Sequence, residues 1–349
     1  MPPQKSITIV GGGLAGLTLG IGLRQRGVPV TIFEAGNYPR HRVCGEFISG
    51  NGHAVLARLG LLARFEQAGA VQARTVMFVR GSNRSPVRQL AAPALCLSRH
   101  AMDALLAGSF QQLGGELFVN TRWTSSENSE GLVHASGRRT QPAEKSPRWF
   151  GVKAHVPFSG PVNLEADLEV HFSPDGYIGV NRINGGEVNV CGLFRVREGM
   201  RRPESKPDWL RGETGSLLRE RLGAADFAPD SFCSVAGLQL KPQRAAAKKE
   251  CRIGDALTMT PPVTGNGMSM AFESAELAVE PLAAYSQGKL NWPQAQQQIA
   301  RRCDAAFARR LAWARLLQWL MISPALQGRL GFLLLRSDWL WRLMFTQTR

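Results

Sequence analysis

The sequence predicts an α/β protein: a doubly wound core, an inserted and mainly antiparallel β-sheet, and a helical carboxy-terminal region. Three observations carry this. Residues 6–34 read as strand, glycine turn, helix and second strand in unbroken succession. Between Trp149 and about Leu240 the pattern shifts to short strands parted by glycines. From Trp292 onward leucine, tryptophan and arginine recur at helical rather than alternating spacing.

The first strand is Ile7-Thr8-Ile9-Val10, apolar enough to be buried on both faces. Gly11-Gly12-Gly13-Leu14-Ala15-Gly16 follows as a G-x-G-x-x-G turn into a helix over Leu14 to Arg26. Gly11 permits the tight turn, Gly13 lets backbone approach a pyrophosphate, and Gly16 lets the helix lie close on its strand. Leu14 and Ala15 then belong to a helix N-terminus whose free N–H groups face the phosphates. A second strand, Pro29 to Phe33, delivers Glu34, an acceptor for a ribose hydroxyl. Together these describe a Rossmann-type dinucleotide site. The same stretch read as a secretory signal fails on its three consecutive glycines and its lack of a cleavage site.

At 349 residues the chain can bury a large core and more than one structural unit. Its hydrophobic share of 44% is that of an ordinary globular protein, whereas its net charge of +15 predicts attraction to anionic ligands or surfaces. The six cysteines form no CxxC pair and no zinc spacing, and the six histidines form no H-x-x-x-H. That pattern predicts no metal and a reducing, cytoplasmic setting.

After Glu34 a basic, glycine-bearing loop is expected over Ala35 to Gly52, then one helix over His53 to Ala68. Val71 to Arg80 and Gln89 to Leu97 read as paired strands. Ser98 is a fitting N-cap for the next helix. Glu116 to Trp123 and Gly131 to Arg139 supply short strand segments around a polar link, Thr124 to Gly131. The sheet pattern then comprises Phe150 to Val156, Val162 to Phe172, Tyr177 to Ile183, Glu187 to Val196 and Ser234 to Lys241, with one helix over Trp209 to Leu222. Cys251 to Ala256 returns to the first style, followed by Pro261 to Met268 and a long helix to about Ser286.

Three separated segments, the glycine turn with Glu34, Ser98-Arg99-x-x-x-Asp103, and Gly254-Asp255-Ala256, resemble those of group A flavoprotein monooxygenases and their geranylgeranyl reductase-like relatives, of the p-hydroxybenzoate hydroxylase type. The resemblance runs to about Gln287. It implies FAD held by a GR2-like Rossmann domain made of residues 1–70, 98–148 and 245–287. Residues 71–97 and 149–244 would form the substrate-binding sheet, and residues 288–349 a lipophilic, basic helical region. It further implies cofactor contacts from Gly11, Gly13, Leu14, Ala15, Gly16, Glu34, Arg42, Arg99, Gly254 and Asp255. Gly265, Asn266, Gly267 and Met268 would bring a helix N-terminus to the flavin, where its positive end suits a reduced, anionic ring. Arg42-Val43-Cys44-Gly45-Glu46 is similar to the reductase branch's Cys-Gly segment, which makes Cys44 and Glu46 the catalytic candidates. Lys153 and His155 lie in a segment similar to the strand beneath the flavin.

The departures matter too. Ala135-Ser136-Gly137 carries serine where many monooxygenases have the aspartate that contacts FAD and NAD(P)H. The halogenase W-x-W-x-I-P and the reductase Y-x-W-x-F-P motifs are both absent, Gly176-Tyr177-Ile178-Gly179-Val180 standing in place of the latter.

The resemblance implies an FAD monooxygenase, drawing electrons from NAD(P)H and hydroxylating a lipophilic phenol, resorcinol or polyketide-type ring through a flavin C4a-hydroperoxide. The same fold also serves reduction or desaturation of isoprenoid or polyketide C=C bonds. A third reading is a non-catalytic scaffold for a lipid or partner. From Arg301 on, nine arginines face only Asp304 and Asp338, interleaved with leucines and tryptophans. This predicts a basic amphipathic element for peripheral contact with a membrane's cytoplasmic face or an acidic carrier protein. Pro324 and Arg329 break the one stretch that could span a bilayer. Nothing in the chain is a nucleic-acid-binding motif, so no such partner is expected.

Overall fold

The computed structural model describes residues 4–125, 129–138, 148–158, 162–196, 205–238, 240, 243–322 and 337–347. Two sheets organise it. The first is parallel and consists of β1 (Ile7–Val10), β2 (Val30–Phe33), β7 (Glu116–Phe118), β8 (Leu132–His134) and β14 (Cys251–Arg252). Their order is β14-β8-β1-β2-β7. The chain leaves β1 for β2 on one side and returns to β8 on the other, so the switch point lies between β1 and β8. Open α/β sheets bind their ligands there, beyond the strands' carboxyl ends.

The second sheet has nine strands. Eight of them run in the order β13 (Cys233–Leu238), β9 (Arg148–Pro157), β12 (Glu187–Val196), β11 (Gly176–Ile183), β10 (Leu168–Ser173), β4 (Val71–Arg80), β6 (Arg88–Cys96) and β3 (Phe47–Ile48). The ninth, β5 (Asn83–Arg84), pairs only with β4. Every pairing in it is antiparallel except β10 with β4. The sheet is therefore mainly antiparallel, and 71–97 joins 149–244 in it.

Helix α1 (Leu14–Arg24) lies between the parallel sheet, α4 (Arg99–Gln112) and α7 (Gly267–Ser286). Its Leu17, Leu19, Ile21 and Leu23 are fully buried in the main core with Ile7, Ile9, Ile32 and Phe272. Each such side chain contributes about 1.5–3 kcal/mol of burial. Ser98 caps α4, accepting a hydrogen bond from the Ala101 N–H.

Several elements differ from expectation. The helix expected over His53 to Ala68 is two, α2 (Asn51–Arg58) and α3 (Leu62–Gln67), because the chain turns at Gly60 with φ +69°. The helix expected over Trp209 to Leu222 is likewise two, α5 (Lys206–Leu210) and α6 (Leu217–Leu222), parted by Gly212 and Gly215 in left-handed conformations. The strands expected to reach Trp123 and to begin at Val162 are shorter, ending at Phe118 and beginning at Leu168. Residues Ala35 to Gly52 are not wholly an exposed loop. Phe47 and Ile48 form β3 against β6 and are buried with Glu46 and Ser49. The carboxy-terminal region supplies α8 (Trp292–Ile322) and α9 (Asp338–Gln347). Arg139, Thr140, Lys241, Pro324 and Arg329 lie outside the described residues.

Candidate active site

One cavity of about 1180 Å³ runs from the switch point of the parallel sheet onto the face of the large sheet. It exceeds the roughly 300–1,000 Å³ of an ordinary small-ligand pocket, which leaves room for a dinucleotide and a second molecule. Its first half is the glycine turn. Gly11 has φ +109° and sits against the Ala135 carbonyl. A Cβ at Gly16 would overlap the Gly11 carbonyl oxygen, so the helix packs there only as glycine. A Cβ at Gly13, by contrast, meets nothing within 4 Å, and the free space opens on the cavity.

Glu34 ends β2 inside this half. Its carboxylate accepts from the Gly12 N–H, the Gly36 N–H and Arg40 Nη1, each at 2.8 Å. Burial acts to raise its pKa, but the Arg40 guanidinium and the two N–H groups outweigh it and hold the carboxyl at about 2. Tyr38 donates its hydroxyl to the Gly12 carbonyl and lies under Arg40. Arg40 Nε and Nη2 are buried and have no partner among the described residues. Arg40 is also one of the residues that line the cavity.

Gly254 begins the short turn after β14, and its N–H is held by Ser274 Oγ at 2.9 Å. Next to it Asp255 faces the cavity, 3.4 Å from Arg138. The N-terminus of α7 meets the same space through Gly265, Gly267 and Met268, while Asn266 is buried behind them. Two helix N-termini, a glycine cradle without side chains, a buried arginine and an acid at the end of β2 fit FAD.

Arg42, Val43, Cys44 and Gly45 form the wall between the two halves. Burial raises the Cys44 thiol, which therefore stays protonated. Glu46 does not line the cavity. It is fully buried with φ +52°, and its carboxylate binds Lys153 Nζ at 2.9 Å, His155 Nε2 at 2.8 Å and the Arg99 N–H at 2.7 Å. Burial works against its ionisation, yet His155 and Lys153 keep its pKa below the ordinary value. His41, on the cavity wall, is 3.2 Å from Lys153 and stacks on His100. Burial and the charge of Lys153 push His41 down to about 4, so its ring is neutral near pH 7. Arg99 lines the cavity, but its guanidinium is bound in bidentate fashion by Asp103 at 2.6 and 2.7 Å.

The second half of the cavity is lined mainly by apolar side chains, with Asn181 and Ser234 among them. Phe78, Leu90, Val170, Tyr177, Leu193 and Leu238 come from the large sheet. Leu317 of α8 with Trp341 and Phe345 of α9 close the far side. Trp341 packs edge-on against Phe78 at 5.2 Å, and Asp338 ties α9 to Arg88 at 2.9 Å.

Of the residues named from the sequence, Gly11, Gly13, Leu14, Ala15, Glu34, Arg42, Cys44, Arg99, Asp255, Gly265, Gly267 and Met268 line this one cavity. Gly16, Gly254 and Asn266 position its backbone from behind, and Glu46 belongs to the buried network. Sequence reasoning did not find Tyr38 and Arg40, although Tyr38-Pro39-Arg40 follows Glu34 closely. Nor did it find Arg138 or the inward faces of α8 and α9. No local pattern marks a wall held together by residues 250 positions apart, as Arg88 and Asp338 are.

Residues 4–149 match the family described as "FAD binding domain". Monooxygenase 1 of Arabidopsis thaliana is 30% identical over 115 residues, a match spanning 31% of this chain and only 29% of that protein. Among solved structures, flavin-dependent brominase Bmp2 superposes with a TM-score of 0.75 at 19% identity, over 98% of this chain and 92% of its own. The p-nitrophenol 4-monooxygenase PnpA of Pseudomonas putida DLL-E4 gives 0.73 at 16%, covering both chains fully. PqsL of P. aeruginosa, in complex with 2-aminobenzoylacetate, gives 0.71 at 18%, over 94% and 99%. At these identities the likeness is one of fold.

Proposed function

Starting from an FAD-dependent oxidoreductase with the group A flavoprotein monooxygenase fold, we propose that this chain hydroxylates a lipophilic aromatic compound. The observation that carries the reading is the continuity of the glycine-lined half of the cavity with a half walled by Phe78, Tyr177, Leu193, Leu238 and Trp341. A flat, apolar molecule there would lie in the same space as the cofactor. The names of PnpA and of the PqsL complex point to ring compounds on this fold.

Bound FAD would supply two-electron reduction and the activation of O₂. The chain's part is binding and environment. Gly13 and the first turn of α1 would hold the FAD pyrophosphate, Glu34 and Arg40 its adenosine ribose, and Asp255 its ribityl hydroxyls. The N-terminus of α7 would stabilise negative charge on the ring. His41 is neutral and Cys44 protonated at the cavity, so the charge of this part of the wall comes from Arg42 between them. NAD(P)H is the proposed electron donor, its phosphates drawn by Arg42 and Arg122 at the cavity.

A second reading, saturation or desaturation of an isoprenoid or polyketide C=C bond, draws on the placement of Cys44 and Gly45 at the junction of the two halves. One experiment separates the two. Reduced, flavin-loaded protein is mixed with candidate phenols under heavy-oxygen O₂. Label in the product supports hydroxylation. Saturation of a prenyl chain with no oxygen consumed would replace it with the second reading.

A further inference from the structure

Helices α8 and α9 carry two different faces. Leu317, Trp341 and Phe345 face the cavity. Two positions along a helix are about 200° of rotation, so Trp319 and Trp339 leave from the opposite side. They are 61% and 73% exposed, the two most exposed large hydrophobic residues among those described, and Leu316 is 44% exposed. Arg315 lies one turn from Trp319, and Arg342 one turn from Trp339; both are exposed, as are Arg301 and Arg309. The two carboxylates of these helices are engaged elsewhere. Asp304 accepts from the Ala245 and Ala246 N–H groups, and Asp338 binds Arg88.

An outward face of tryptophan, leucine and arginine is apolar at the level of lipid headgroups and cationic beside their phosphates. No helix among the described residues is long and apolar enough to cross a membrane. We propose that this face of α8 and α9 docks peripherally on an anionic lipid surface. The apolar end of the cavity then sits directly behind the docked helix, since Trp341 and Phe345 on the inner side of α9 form its wall. The docking itself stands on these two helices and is independent of the flavin chemistry.

The test is co-sedimentation of the full, flavin-loaded chain with phosphatidylglycerol vesicles and with phosphatidylcholine vesicles. The wild type should sediment with the anionic vesicles, less so at high salt, and stay in solution with the neutral ones. The double change Arg315→Gln/Arg342→Gln should weaken binding about 30-fold, at the usual contribution of a basic residue near a charged bilayer. Trp319→Ala/Trp339→Ala should also release the protein. Flavin absorbance and melting temperature, unchanged in both variants, establish that they fold. A wild type that ignores phosphatidylglycerol, or variants that bind as the wild type does, overturn the proposal. Retention on an immobilised acyl carrier protein without vesicle binding overturns it in favour of a protein partner. Neither result alters the flavin absorbance on which the proposed function depends.

Discussion

Glu34 owes its low pKa to three donors that outweigh burial, and this has a consequence for acid stability. Its pKa falls from 4.5 to about 2 on folding. The stabilisation is therefore complete above about pH 4.5 and disappears as pH falls through 2. A shift of this size corresponds to roughly 3 kcal/mol. Glu34→Gln should accordingly lower the urea midpoint at pH 7 and flatten its dependence on pH between 4.5 and 2. A variant with the wild-type slope there would contradict the assignment. Lys153 makes a different case. It and Glu46 are both wholly buried, so Lys153→Met strands a carboxylate and should cost about 3–5 kcal/mol in urea melts. Glu34 was readable from its place at the end of β2, just after the glycine turn and its helix, although its partner Arg40 was not. Glu46 was not, because its stabilising cation is 107 residues away in β9; by itself, an acid in a basic loop reads as solvated.

Helix α9 has a role that the sequence showed only in part. The sequence predicts a basic amphipathic surface element there, and the tertiary contacts add an inward face. Trp341 packs on Phe78 and Phe345 lines the cavity, while Trp339 stays outside. Trp341→Ala should therefore leave FAD affinity unchanged and raise the KM for the ring substrate, read by flavin titration beside steady-state kinetics. A loss of FAD affinity instead would place α9 against the cofactor. The β1–α1–β2 unit was legible almost residue by residue, since its turn, close helix packing and terminal acid are all local requirements. The breaks between α2 and α3 and between α5 and α6 were missed because apolar spacing continues across Gly60 and Gly212. A glycine inside a helical pattern does not announce its sign of φ.

At the scale of the molecule, two sheets that share no strand contribute opposite walls to one cavity. The parallel sheet brings its carboxyl ends, the large sheet its apolar face, and residues 40–47 pass between them, ending in β3. The sequence held each wall's signature but not their meeting, which is fixed by β3 pairing with β6 and by Glu46 reaching Lys153 and His155. If NAD(P)H is the donor, anaerobic NADPH should bleach the bound flavin, and Arg42→Ala should slow that bleaching. Bleaching at the wild-type rate would remove Arg42 from the approach. The central claim is that the glycine turn is a cradle kept free of side chains for FAD. Gly13 tests it directly, because its backbone (φ −87°) suits any residue and an added Cβ touches no protein atom. Gly13→Ala should melt with the wild type and bind FAD about tenfold or more weakly, the effect of roughly 1.4 kcal/mol of clash with the pyrophosphate. A Gly13→Ala protein that takes up FAD with unchanged affinity would contradict the account.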